Sequence, residues 1–118
     1  IEPCGFLLND PRFKRVVMDY MKEDEITIYK SSEEFFEAKK KQRVILMTTR
    51  GKKSYTKFNF KKNDTILFGR ESAGVPQKIH KIIQNKLFIP MMKKKRSLNL
   101  ATSVAIVLSE NLRQTNYL

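Results

Sequence analysis

Cysteine is almost absent: Cys4 stands alone among 118 residues. One thiol excludes an internal disulfide and any clustered thiolate metal site, and it suits a reducing, cytoplasmic setting. Histidine is equally scarce. His80 is the only one, and it has no cysteine or carboxylate at ligand spacing, so it reads as a surface or partly buried residue and no metal is expected. A serine hydrolase would lack its base, because this histidine lies outside any elbow motif. No apolar run approaches the roughly 20 residues of a bilayer span, so no membrane partner is expected, and no signal peptide is visible. Neither a Walker phosphate loop nor the dinucleotide fingerprint occurs.

Two further absences are local. Acidic residues are missing from residues 39–62, where ten Lys and Arg occur. Tyr55, Phe58 and Phe60 are interleaved among them. Basic side chains neutralise phosphates and aromatic rings can stack on bases. The aromatics alternate with polar residues as strand residues do, so they are assigned to the core. The charge run, within a net charge of +12, favours a polyanion, most simply nucleic acid. Glycine and proline are missing after Pro90, so nothing interrupts a long final helix. Ser97 should open it. Leu98, Ala101, Ala105, Leu108 and Leu112 recur at three- and four-residue spacing, the mark of one buried face. Val104 to Leu108 are apolar at five consecutive positions, more than one face needs, so a partner subunit could supply a second cover. Ser97 and Asn99 either cap this helix or use its unpaired N–H groups to hold a ligand.

Length suits a single domain spanning 1–118. Read in order, the chain gives a helix over about 9–20 behind Asn9, Asp10 and Pro11. A strand over 25–29 follows, then a helix capped by Ser31 or Ser32 with Glu33, Glu34 and Glu37 early. A strand is expected over 44–48, then a basic loop over 50–53 pivoting on Gly51. Residues 55–60 read as a short strand or irregular loop. Strands over 65–68 and 87–89 flank a short helix over 76–83. Strands alternate with helices, which implies an α/β domain with a mainly parallel sheet and helices on both faces. Ligands in such sheets bind outside the carboxyl ends of the strands. Three of those ends carry chemistry: 47–49, 68–71 and 89–91. The middle one opens FGRESAGVP, residues 68–76, where Gly69 permits a sharp turn or a close ligand approach and Arg70 and Glu71 stand side by side. The same residues would also make an ordinary strand-to-helix turn.

FGRESAGVP followed by IPMMKKKRSLNLATSVAIVLSENLRQ resembles the two C-terminal motifs of the SPOUT RNA 2′-O-methyltransferases. IEPCGFLLNDPRFKRVVMDY and VILMTTRG resemble the subfamily that methylates the ribose of the tRNA wobble nucleotide, cytidine or uridine 34. The resemblance covers essentially the whole chain. It implies a C-terminal trefoil knot, a homodimer, and S-adenosylmethionine bound in the knot and released as S-adenosylhomocysteine, with no metal. Met47, Gly69, Ile89, Met91, Ser97 and Leu98 match its cofactor positions. Glu71 and Asn99 match its motif residues and are supporting candidates in catalysis. Arg70, Lys93, Lys94, Lys95 and Arg96 are candidates for holding tRNA. The family's first strand, helix and catalytic arginine are expected upstream of Ile1, so the catalytic residue itself is unknown. Methylation of ribosomal RNA is the alternative of the same chemistry, and a non-catalytic basic RNA-binding module is the alternative of another class.

Overall fold

The computed structural model describes residues 1–2, 11, 26–70, 74–91 and 99–116. The expected helix over 9–20 lies outside these residues, Pro11 apart. The chain divides into two compact units, Ile1–Lys40 and Lys41–Leu118.

In the first unit, helix α1 (Ser32–Ala38) begins where the sequence signals it. Ser31 caps it, its side chain accepting from the Glu34 N–H at 3.1 Å, while the Glu34 carboxylate accepts from the Lys30 N–H at 2.9 Å. The first bond satisfies a backbone donor that a helix start leaves unpaired, and the second ties down the N–H of the residue before the cap. Phe35 is buried, with the Tyr29 ring edge-on to it at 5.3 Å. The expected strand over 25–29 does not form in its described part: residues 26–29 have no strand pairing. Among the described residues, a backbone bond from the Glu2 N–H to the Tyr29 carbonyl, 2.7 Å, ties this stretch down. Period-two patterning alone does not make a strand; a paired ladder must complete it.

The second unit holds four parallel strands among its described residues: β1 (Val44–Met47), β2 (Lys53–Ser54), β3 (Thr65–Phe68) and β4 (Asn85–Phe88), in the order β2-β4-β1-β3. Ile45 and Met47 face one side with Leu87, Phe58, Phe60 and Val107. Leu46 has the opposite parity and is also fully buried, so both faces of the sheet are covered, as the apolar run of β1 requires. Phe58 and Phe60 go to the core as expected, their rings edge-to-face at 5.0 Å. They do so from a 3₁₀ turn (Tyr55–Lys57) and an extended stretch rather than from a strand. Arg43 fixes that stretch. Its guanidinium donates two hydrogen bonds to the Asp64 carboxylate at 2.8 and 2.6 Å, donates to the Asn59 carbonyl at 2.8 Å, and lies 4.7 Å from the centre of the Phe58 ring.

The link from β1 to β2 is the unusual part. Parallel strands ordinarily need a long crossover, yet here residues 48–52 suffice. Met47 and Lys53 both pair beside Leu87. The chain therefore does not return to the start of the sheet. It steps sideways across β4 and continues in the same direction. Thr48 N–H binds the Leu87 carbonyl on one side at 2.9 Å, and Lys52 N–H binds the Lys86 carbonyl on the other at 3.1 Å. Gly51 lies directly on the crossed strand: a Cβ there would stand 2.3 Å from the Leu87 carbonyl carbon and 2.5 Å from its oxygen.

Helix α2 (Gln77–Ile82) follows Pro76, and helix α3 (Leu100–Gln114) follows Asn99. The final helix thus begins at Leu100 rather than at Ser97, which lies outside the described residues. Its inward face also differs from the expected one. Val107 is fully buried and Thr115 nearly so, while Ala101, Ala105 and Leu108 are exposed and Leu112 is half-buried. The chosen face carries Gln114, whose amide donates to the Phe58 carbonyl at 2.9 Å and accepts from the Phe60 N–H at 2.8 Å. Those two backbone groups need partners under a packed helix, and that need outranks the apolar count. Glu110 beside it is pulled down to about 2 by hydrogen bonds from Arg113 and then Gln114.

Two glycines separate steric need from backbone need. Gly51→Ala should lower unfolding free energy by about 3 kcal/mol, because the crossed strand must move. Gly74 has φ +66° with open space around it, so Gly74→Ala should cost only about 1 kcal/mol. Chemical denaturation of both variants checks this, and equal losses would remove the crossing as a packing constraint.

Candidate functional site

Strand register brings three chain exits together. Met47 pairs with Phe68 on one side and Leu87 on the other, so β1 is flanked by β3 and β4 at about 4.8 Å spacing. The loops leaving Met47, Phe68 and Phe88 therefore emerge side by side at the carboxyl edge of the sheet. That gathers five of the expected residues: Met47, Gly69, Arg70, Ile89 and Met91. Met47 and Ile89 turn their side chains toward the core, Met47 at 7% exposure and Ile89 partly buried. Their main-chain groups remain at the edge. Met91 is exposed at 41%, and Arg70 is exposed too.

Gly69 has a structural reason that the sequence does not reveal. A Cβ there would lie 2.6 Å from the Gly74 carbonyl carbon and 2.7 Å from the Val75 nitrogen. The loop turns back on itself, with Gly74 N–H donating to the Arg70 carbonyl at 2.8 Å. The turn is thus shaped by its own backbone. Asn99 caps α3, its side-chain oxygen accepting from the Thr102 N–H at 3.3 Å. Glu71, Lys93, Lys94, Lys95, Arg96, Ser97 and Leu98 lie outside the described residues.

Arg50 joins the edge without having been singled out. Its backbone N–H donates to the Thr48 hydroxyl at 3.2 Å, and its guanidinium donates to the Gln77 side chain at 2.9 Å. It therefore ties the loop after β1 to the start of α2. No short motif marks such a tie, because Gln77 is 27 residues away. His80, one turn further along α2, is buried rather than surface-lying. Burial holds its pKa below 6.5, and the nearby charges of Arg50 and then Lys86 lower it further.

The residues at this edge offer main-chain groups, aliphatic carbon and a thioether. That is a donor set for an aromatic nucleoside held by backbone hydrogen bonds and apolar contact, and the cations Arg50 and Arg70 stand at its border. S-adenosylmethionine fits such a set. Among the described residues no group of three or more His, Cys, Asp and Glu could hold a metal ion, and no helix is long and apolar enough to cross a membrane.

The sequence profile of the SpoU rRNA Methylase family matches residues 1–109. The chain belongs to the SpoU methylase family. It is 38% identical over 120 residues to a tRNA (cytidine(34)-2'-O)-methyltransferase of Beijerinckia indica, covering 100% of this chain and 75% of that relative. A solved structure described as giving structural insights into the 2-OH methylation of C/U34 on tRNA superposes with TM-score 0.84 at 36% identity, covering 95% of this chain and 74% of that one. An AdoMet-bound rRNA methyltransferase from Sinorhizobium meliloti superposes with TM-score 0.63 at 27% identity, over 70% of this chain and 33% of that one. The parallel α/β fold expected of a SpoU methylase is therefore present.

The buried histidine of this SpoU chain gives a pH signature. The folded state prefers neutral His80, so below pH 6.5 the unfolded state binds the extra proton. Stability should be complete above about pH 6.5 and fall as the pH drops toward the lowered folded value. Melting temperatures between pH 7.5 and 5 check this. His80→Asn should flatten the curve in that window, and a variant curve as steep as the parent's would assign the effect elsewhere.

Proposed function

We propose that this chain methylates the ribose 2′-hydroxyl of the wobble nucleotide of tRNA, cytidine or uridine 34. The observation that carries this reading is the family membership, joined to a carboxyl edge whose main-chain and apolar groups suit a nucleoside cofactor. S-adenosylmethionine would supply the methyl group, leaving S-adenosylhomocysteine. Backbone groups at Met47, Gly69 and Ile89 would hold it, with Met91 covering it and Ser97 and Leu98 enclosing it. Positioning of two reactants can supply several kcal/mol of a barrier. Arg70, with Lys93, Lys94, Lys95 and Arg96, would grip the RNA backbone, and Glu71 and Asn99 would assist at the hydroxyl. Residues 1–118 act in this reading as one SPOUT domain. Its C-terminal segment forms a trefoil knot, and the passage of β4 beneath the residue 48–52 crossing supports that topology.

The test is methyl transfer to purified tRNA and to ribosomal RNA, followed by mapping of the modified nucleotide. A 2′-O-methyl group at position 34 is expected. Label in a base, or in ribosomal RNA alone, would overturn the assignment; the latter is the family profile's namesake substrate and the second reading. Met91→Asp should weaken S-adenosylmethionine binding at least tenfold by calorimetry with the melting temperature kept, since Met91 is exposed. Unchanged affinity would remove that residue from the cofactor site.

The homodimer is proposed to use the outward stripe of α3. Ala101, Ala105 and Leu108 lie along it, Leu108 at 46% exposure. Small residues allow two helices to approach closely, and Leu108 supplies apolar area. Leu108→Lys should convert a dimer into a monomer in sedimentation, at unchanged helix content. A dimer that survives that change is held by another surface.

A further inference from the structure

The excess charge of this protein is confined to one unit. Residues 41–118 carry 17 Lys and Arg against three acidic residues, Asp64, Glu71 and Glu110. The two described carboxylates are internally matched, Asp64 by Arg43 and Glu110 by Arg113. Little negative charge is therefore left to offset the remaining cations.

Residues 52–62 have a particular place among them. Lys53 begins β2 beside Leu87, at the carboxyl edge. Asp64 and Thr65 stand at the opposite edge, where the Thr65 N–H binds the Arg43 carbonyl at 2.9 Å. The segment between must therefore return over the length of the sheet, about 13 Å for four residues. It does so with its aromatic side chains inward: Phe58 and Phe60 are buried, as is the polar Ser54, and Tyr55 packs on the core. Lys52, Lys53, Lys57 and Lys61 are all exposed. The backbone beneath them is fixed at several points. Ser54 caps the 3₁₀ turn, Gln114 clamps Phe58 and Phe60, Arg43 holds Asn59, and Asp64 accepts from the Lys61 N–H at 2.7 Å.

We propose that this lysine ridge is a second RNA-contacting surface, which binds phosphates of the substrate away from the nucleotide being modified. Its four exposed lysines sit on an anchored backbone and run from the candidate site toward the far edge of the sheet. Cations carried on an anchored stretch of that length can meet more than one phosphate, and fixing the backbone beforehand lowers the ordering cost of binding. The contact is sequence-independent, so it adds affinity and orientation rather than base choice. The inference rests on RNA being the substrate, but not on the methyl transfer itself.

The experiment measures tRNA binding by fluorescence anisotropy across a salt series. It uses the whole chain and two charge-matched double variants, Lys53→Ala with Lys57→Ala and Lys78→Ala with Lys81→Ala. The ridge variant should bind about tenfold more weakly near 0.1 M salt, with the slope of log affinity against log salt shallower by about 2. Lys53→Arg with Lys57→Arg should restore both quantities. S-adenosylmethionine affinity should be unchanged in all variants, which reports an intact fold. Equal losses in the ridge and α2 variants would mean a diffuse field and would overturn the ridge. No loss in the ridge variant would overturn it as well. If the parent chain binds no tRNA, the RNA reading itself fails, whereas tRNA binding without methylation leaves the ridge standing.

Discussion

The approach of Gly51 to the Leu87–Phe88 peptide is the contact on which the second unit turns. Backbone lies on backbone there, at a distance no side chain tolerates. Because the crossing is that close, residues 48–52 can carry the chain from one side of β4 to the other without leaving the edge of the sheet. Two consequences follow. Strand β4 must run out beneath the crossing, so its exit at Ile89 and Met91 is held next to the exits of β1 and β3. And β2 must continue past the edge, so the chain can reach β3 only by returning across the sheet. The first consequence assembles the candidate site. The second creates the segment that covers the core and carries the lysine ridge.

Much of this was legible from patterning. The strands expected over 44–48 and 65–68, the cap at Ser31 or Ser32, the short helix after Pro76 and the parallel α/β class all follow from local rules that the tertiary structure leaves in force, the first strand ending one residue early and Ser31 being the cap. The errors fall where a remote partner decides. Residues 26–29 alternate well, but alternation needs a ladder to become a strand. Leu98, Ala101, Ala105, Leu108 and Leu112 make a regular stripe, yet α3 turns Val107 and Gln114 inward. The reason lies more than 50 residues away, in two backbone groups at Phe58 and Phe60 that need partners. Gln114 gives no sign of this in its own neighbourhood.

The site shows the same division. The three strand ends could be named in advance, because binding at carboxyl ends is a property of parallel sheets. The meaning of Gly69 could not. A glycine after a strand suggests a ligand at close range, but here the space its Cβ would fill belongs to Gly74 and Val75. A bulky residue at 69 would therefore disturb the loop before it touched any ligand, and loss of binding in such a variant would not identify a pocket. Arg50 went unnoticed for the converse reason. It was one basic residue among ten, and only its bond to Gln77 distinguishes it from the lysines beside it.

Charge also limits where a second copy can dock. The unit of residues 41–118 is so strongly basic that two copies repel wherever their lysines face each other, and screening at physiological salt acts only beyond about 8 Å. Association needs a face without cations. Leu100 to Leu112 contain no Lys or Arg, a longer run without them than any other described stretch of that unit. Arg113, which ends the run, is matched by Glu110 at 2.7 Å. The same stretch presents Ala101, Ala105 and Leu108 outward. Apolar exposure and electrostatic permission thus coincide on α3, whereas the lysine ridge lies on a face where they do not. That separation is what a basic domain requires if it is to bind a polyanion and its own copy at once: the surface that attracts one must be different from the surface that admits the other.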